Sequence, residues 1–181
     1  MKKGALKFVF AVLILVPVCT KATIIKDFNE NGTIATGDYY DQVNIWNTAT
    51  VDMTGGRVTS TINTYNTSTL NISGGIIQGP PLTFIYLHDS GVLNLSGGLF
   101  YSTWIYPQES TVNIYGRDLA WIIDSNKRVH GYWADGTEFL ITLARIENAN
   151  IIFHEIPEPC TLGLFGFGFF ILRRTIKTFH K

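Results

Sequence analysis

Val51-Asp52-Met53-Thr54-Gly55-Gly56, Leu70-Asn71-Ile72-Ser73-Gly74-Gly75 and Leu93-Asn94-Leu95-Ser96-Gly97-Gly98 are three copies of one block. A fourth, Val112-Asn113-Ile114-Tyr115-Gly116, keeps a single glycine. Their starts lie 19, 23 and 19 residues apart. The long gap holds Gly79-Pro80-Pro81-Leu82, a four-residue insertion of turn composition, and without it the period is 19. A period near 20 with alternating apolar residues means stacked strands. Val51 and Met53, Leu70 and Ile72, and Leu93 and Leu95 then face one side. Asp52, Asn71 and Asn94 face the other. One unit cannot bury its apolar face alone, so several must stack. The glycine pair suits a corner that needs positive φ and close backbone approach. Asn47-Thr48 and Asn66-Thr67 suit the opposite corner, where their side chains can bond local backbone.

The linking segments align as well. Val43, Ile62, Ile85 and Trp104 fall in one column, and Ile45, Thr64, Leu87 and Tyr106 in the column two residues on. The expectation is an all-β chain whose residues 35–116 form a short parallel β-solenoid of about four coils. The competing architecture is an antiparallel sandwich with strands every 8–12 residues. Beyond Gly116 the repeat stops. Leu119 to Ile123, Val129 to Trp133, Glu138 to Leu143 and Ile151 to Phe153 are strand candidates, and Ala134-Asp135-Gly136-Thr137 reads as a hairpin turn. Residues 117–155 are expected to form a β cap over the open end of the solenoid, where bare strand edges would invite aggregation.

Outward from this middle, both ends carry membrane signals. Lys2 and Lys3 precede an apolar core from Phe8 to Val18, too short for a span of about 20 residues. This is the pattern of a cleaved secretory signal peptide over residues 1–22, with cleavage after Ala22. An uncleaved anchor and a lipoprotein signal at Cys19 are the alternatives. At the other end, residues 156–181 hold Pro157-Glu158-Pro159, an apolar glycine-punctuated run from Leu162 to Leu172, and Arg173, Arg174, Lys177 and Lys181. Basic residues after an apolar run stay cytoplasmic, which makes the run a transmembrane helix with the middle of the chain across the membrane.

The chain has 181 residues and a formal charge of zero, with 14 bases and 14 acids. The terminal segments hold eight of the bases, so residues 23–159 hold 14 − 8 = 6 bases against 14 acids, a net of −8. This argues against nucleic-acid binding, which needs a basic footprint. His88, His130, His154 and His180 share no metal-ligand spacing, and loss of Cys19 with the signal would leave Cys160 without an internal disulfide partner. The residues after each glycine pair, Arg57-Val58, Ile76-Ile77 and Leu99-Phe100, lack the aspartates of calcium-binding repeats. No two acids stack in one column, so paired-carboxylate hydrolysis has no support. The expectation is therefore no enzyme, no metal and no cofactor. Aromatic residues form the one further feature. Trp46 and Tyr65 share a column, with His88 and Pro107 following, and Tyr86, Tyr101, Trp104 and Tyr106 lie nearby. Such rings either pack against the coils or hold sugar rings.

The C-terminal tail resembles the PEP-CTERM sorting signal of bacteria: Pro157-Glu158-Pro159, then an apolar segment, then Arg173 and Arg174. The resemblance covers about the last 26 residues, and Cys160 stands where the pattern more usually has Ser or Ala. The repeat is also similar to β-helical regions of PEP-CTERM and autotransporter-type surface proteins. The resemblance implies recognition of the tripeptide by an exosortase, a membrane-embedded processing enzyme. It implies passage from an inner-membrane intermediate to the cell surface or an exopolysaccharide matrix. The function so implied is that of a non-enzymatic surface or matrix protein. The alternative is a surface carbohydrate-binding or carbohydrate-active β-helix, with a surface polysaccharide as partner.

Overall fold

A computed structural model describes residues 22–122 and 126–157. The 19-residue period closes one coil per repeat. On one side stand β1 (Ile25–Phe28), β3 (Tyr39–Ile45), β5 (Arg57–Thr64), β7 (Ile76–Leu87) and β9 (Leu99–Tyr106). On the other stand β2 (Gly32–Ile34), β4 (Thr50–Met53), β6 (Thr69–Ile72), β8 (Val92–Leu95) and β10 (Thr111–Ile122). Each strand pairs parallel with its counterpart one coil on. The chain is an all-β parallel solenoid, and the described residues contain no helix.

The solenoid has about five coils, one more than the sequence period suggests. The additional coil is the first, where Thr33 pairs with Asp52 and Ile34 with Met53. It lacks the glycine pair, keeping Gly37 alone at φ +99°. Its first corner is also short, with three residues between β1 and β2 where the next coil has four between β3 and β4. Both changes remove the marks by which the repeat is recognised.

Alternation delivers the apolar residues to the interior. Ile34, Met53, Ile72, Leu95 and Ile114 form one fully buried ladder, and Val51, Leu70, Leu93 and Val112 another. Each such side chain contributes about 1.5–3 kcal/mol on burial. A third ladder runs Val43, Ile62, Ile85 and Ile105. Here the register departs from the column read in the sequence. Trp104 pairs with Phe84, and Tyr106 pairs with Tyr86 rather than extending the Leu87 column. The cause is two compensating changes within the fifth coil. Ser102 adopts φ +51°, and β9 carries one residue more at its bend than β5 does. The next corner has one residue fewer: Gln108 repeats the positive φ of Asn47, Asn66 and Asp89, but follows Ile105 by three residues where Asp89 follows Ile85 by four. The spacing of 19 survives across the coil while the strand inside it shifts by one.

Both ends of the stack are closed by aromatic side chains. Phe28 is 7% exposed and lies against Gly32, covering the first coil. At the other end β11 (Arg128–Tyr132) and β12 (Glu138–Leu143) form an antiparallel hairpin across the expected turn. Trp133 and Phe139 stack at 3.8 Å, and the Trp133 indole donates to the Gly98 carbonyl at 3.0 Å. The strand expected at Leu119 is the continuation of β10, which pairs antiparallel with β11. Residues 117–155 also extend the stack. Thr142 and Leu143 run parallel to Trp104 and Ile105, and β13 (Asn150–Glu155) runs parallel to β10. The cap is thus a hairpin plus part of a sixth rung.

The glycine pairs answer two demands at once. A Cβ on Gly74 would lie 2.4 Å from the Thr54 carbonyl oxygen, so the first glycine permits contact between coils. The second holds positive φ, at +71°, +86° and +96° for Gly56, Gly75 and Gly98. Gly75→Ala meets both the Gly55 carbonyl at 2.4 Å and the left-handed strain, so it should lower stability by about 2–4 kcal/mol. Gly37→Ala has the same sign of φ but open space around it, and should lower stability by only about 1–2 kcal/mol. Urea denaturation of the two variants measures the difference. In the hairpin turn, the Thr137 N–H donates to Asp135 at 2.8 Å. That bond and the Thr137 hydroxyl hold the Asp135 carboxyl below the ordinary value of 3.8. A depressed folded pKa stabilises the turn above the unfolded value, and the contribution is lost as pH falls through the folded value. A chemical-shift titration should give Asp135 a midpoint below 3.8, and Thr137→Pro, which removes the donor, should raise it.

Candidate functional site

Along the odd-numbered strands and at the residue just past β3, β5 and β7, the positions between the core residues face outward. They read Gln42, Asn44 and Trp46 on the second coil, then Thr61, Asn63 and Tyr65 on the third. On the fourth and fifth they read Phe84, Tyr86 and His88, then Trp104 and Tyr106. Seven of these side chains are aromatic, all are half-buried, and each touches another. Trp46 stacks on Tyr65 at 3.9 Å with planes 6° apart, and Tyr65 on His88 at 4.8 Å and 7°. Tyr86 links this column to the rest, lying 6.1 Å from His88, 5.0 Å from Tyr106 and 5.8 Å from Phe84. Trp104 joins through Tyr106 at 6.3 Å.

The ring stacking of this column ends at His88. Pro107 does hold the matching place in the fifth corner, its carbonyl accepting from Ser110 as that of His88 does from Gly91, but it is buried and brings no aromatic ring. Tyr101 belongs elsewhere: it pairs with Gln78 beyond the bend and is 47% exposed. Phe84 is a member that sequence reasoning missed, because its place depends on the register shift that moves Trp104 beside it.

Polar groups border the rings. Asn63 donates to Asn44, and Asn44 to Asp27, each at 2.8 Å. Gln42 also donates to Asn44 at 2.8 Å. At the far edge the Arg145 guanidinium lies 5.9 Å from the Tyr106 ring centre, a cation–π contact. Glu147 stands near Arg145. Its carboxyl is held below the usual range first by its own backbone N–H and then by Lys127, which it pairs at 3.1 Å.

The even-numbered strands carry a second outward ladder. Asn71 donates to Asp52 at 2.7 Å, Asn94 to Asn71 at 2.6 Å and Asn113 to Asn94 at 2.8 Å. The chain of amides ends at His154, whose Nε2 meets the Asn113 oxygen at 3.0 Å while its ring stacks on Tyr115 at 4.3 Å. The alternation of the repeat placed these residues outward. Their mutual bonding follows only once the strands are known to be parallel and in register.

Comparison with models of protein families, with curated proteins and with solved structures gave no match to this chain. The arrangement itself offers ring contacts and hydrogen bonds. Among the described residues no group of three or more His, Cys, Asp or Glu side chains is placed to hold a metal ion. His88 and His154 are ring-stacked, and His130 meets Glu138 at 3.0 Å. Of the processing residues read in the sequence, Ala22 and Pro157 are described and both are exposed. Glu158, Pro159, Arg173 and Arg174, together with the signal and transmembrane segments, lie outside the described residues.

The amide ladder yields a stability prediction. Asn94 makes one bond to each neighbouring coil. Asn94→Ala breaks both and should lower stability by about 1–2 kcal/mol. The urea midpoint should fall without a change in the slope of the transition, because the core is untouched.

Proposed function

We propose that the chain is a non-enzymatic exported protein of the cell surface or extracellular matrix, released from the membrane by cleavage at its C-terminal sorting signal. The observation that supports this reading is where the last described strand, β13, ends. The Ile156 N–H donates to the Gly116 carbonyl at 2.7 Å, in continuation of the ladder formed by β13. Pro157 follows at once, exposed and without an N–H to continue that ladder. Pro157, the first residue of the tripeptide, therefore lies just past the last ladder bond of β13. A processing enzyme of the exosortase type would not have to unpair Pro157 from β13 to reach it. The prolines restrict the segment to extended conformers, which lowers the entropic cost of binding.

The charges give direction to this reading. Glu158 is the one charge between Ile156 and Leu172, and its cost in lipid puts it at the outer boundary. Arg173 and Arg174 hold the other end of the apolar segment on the cytoplasmic side. The apolar segment then fixes the depth at which the tripeptide is presented. Cleavage of the signal peptide after Ala22 would leave only two residues before the β1 strand. The exported product would be the capped solenoid alone.

Glu158→Gln, or neutral residues in place of both Arg173 and Arg174, should leave an uncleaved precursor in the membrane fraction. The check is expression in a host that has the sorting enzyme, followed by cell fractionation and mass measurement of the product. If both variants yield the same released, mature protein as the parent chain, the sorting-signal reading is wrong.

A further inference from the structure

We propose that the seven-ring face of the odd-numbered strands is a binding face for a neutral polysaccharide. The inference goes beyond export and processing, and rests on four features of the face.

The first is its place. The rings are outside the core and half-buried, on the odd-numbered strands or at the residue that follows them, where parallel pairing repeats from coil to coil. Interior packing does not require them, since the ladders of Val43, Ile62, Ile85 and Ile105 already fill the positions beneath. The second is their orientation. Trp46, Tyr65 and His88 stack face to face, so what the column gives to solvent is chiefly the ring rims. The rims carry polar tips. Among the described residues, the indole N–H groups of Trp46 and Trp104 have no hydrogen-bond partner within the protein. Neither have the hydroxyls of Tyr65, Tyr86 and Tyr106, and none of these atoms is buried. Five polar groups beside apolar ring surface suit a ligand that offers both C–H faces and hydroxyls, which is the chemistry of a sugar.

The third feature is charge. Beside the rings lie the Gln42, Asn44 and Asn63 amides, the last two buried, and the run ends on the Asp27 carboxylate. Arg145 is the cation at the rings, and Glu147 beside it opposes its charge. The segment 23–159 as a whole carries −8. An acidic polysaccharide would be repelled, so the face fits a neutral one. The fourth is repetition. Coils stacked at the ordinary strand spacing of about 4.8 Å give a flat surface on which similar groups recur. A polymer of one repeated unit can meet that surface at several rungs at once, so individually weak contacts add.

The test uses the full chain, purified in detergent, with two insoluble neutral probes: amorphous β-1,4-glucan and β-1,4-xylan. Gelled polyuronate is the acidic control. The protein should be depleted from solution by at least one neutral probe, and salt of about 1 M should leave that binding intact because no ion pair is being screened. The triple change Tyr65→Phe, Tyr86→Phe and Tyr106→Phe keeps every ring and removes only hydroxyls, so the fold is retained. It should weaken binding about tenfold. Trp104→Ala should weaken it by a similar factor, with the unfolding midpoint followed alongside. Retention by neither neutral probe, retention by polyuronate alone, or unchanged binding by both variants would overturn the proposal. The assay involves no export or cleavage, so its failure is separate from failure of the sorting-signal reading.

Discussion

The structure depends on one constraint: parallel strands repeat their pairing from coil to coil, with register shifts confined to the bends of the odd-numbered strands. Successive copies of a position then lie about one strand spacing apart, near 4.8 Å. At that distance like residues must be able to touch like residues. Aliphatic side chains satisfy this by packing, as Met53, Ile72, Leu95 and Ile114 do inside. Amides satisfy it because each is both donor and acceptor, as Asn71, Asn94 and Asn113 are outside. Aromatic rings satisfy it by stacking, as Trp46 and Tyr65 do. Repeated charges of one sign do not satisfy it, and no acid follows another in these columns. Outer columns with a single acid each, in an acidic domain, are a consequence of the stacking rule.

The same rule makes the ends of the stack special. An interior coil is covered by its neighbours, whereas a terminal coil has only one. Phe28 covers the first coil by folding against Gly32, where a Cβ would collide with its ring. The last coil is covered by a hairpin whose Trp133 and Phe139 are nearly buried. Both ends therefore use a bulky aromatic group across the interior in place of a further ladder of aliphatics. Beyond the cap, β13 returns to the stack and runs alongside β10. That return sets the position of Pro157, two residues past the end of β13.

The legible part of this fold was what the 19-residue period repeats. Val51, Leu70, Leu93 and Val112 name their own column, and the glycine pairs name the corner. The hairpin over the last coil was legible from Asp135-Gly136 between two apolar runs. The first coil was not, because a short corner and a single glycine erased its likeness to the others. Nor was the position of Trp104. Two opposite one-residue changes leave the period intact, so column counting sees no fault. The buried position is filled by Ile105, one residue on. The candidate site inherited both outcomes. Trp46, Tyr65 and His88 could be read as a column, while the link from Tyr86 through Tyr106 to Trp104, with Phe84 beside them, needed the true register. Whether those rings faced core or solvent was also beyond the period alone.

Direction along the ladders explains a last feature of the sequence. In both amide columns, each Nδ2 group donates to the coil before it. The first member of such a run receives a bond and has no earlier amide to give one to. An asparagine there would hold an N–H2 group with no ladder partner, whereas a carboxylate only accepts. Asp52 and Asp27 stand at those two positions. An ionised acceptor also strengthens the first bond, and aligned amides polarise one another along the run. The solitary acid at the head of each column is therefore the terminus of a hydrogen-bonded chain. It gives the columns a polarity that matches the direction in which the coils are wound, and it places a negative charge at the end nearer the first coil, away from Arg145 at the other edge of the aromatic face.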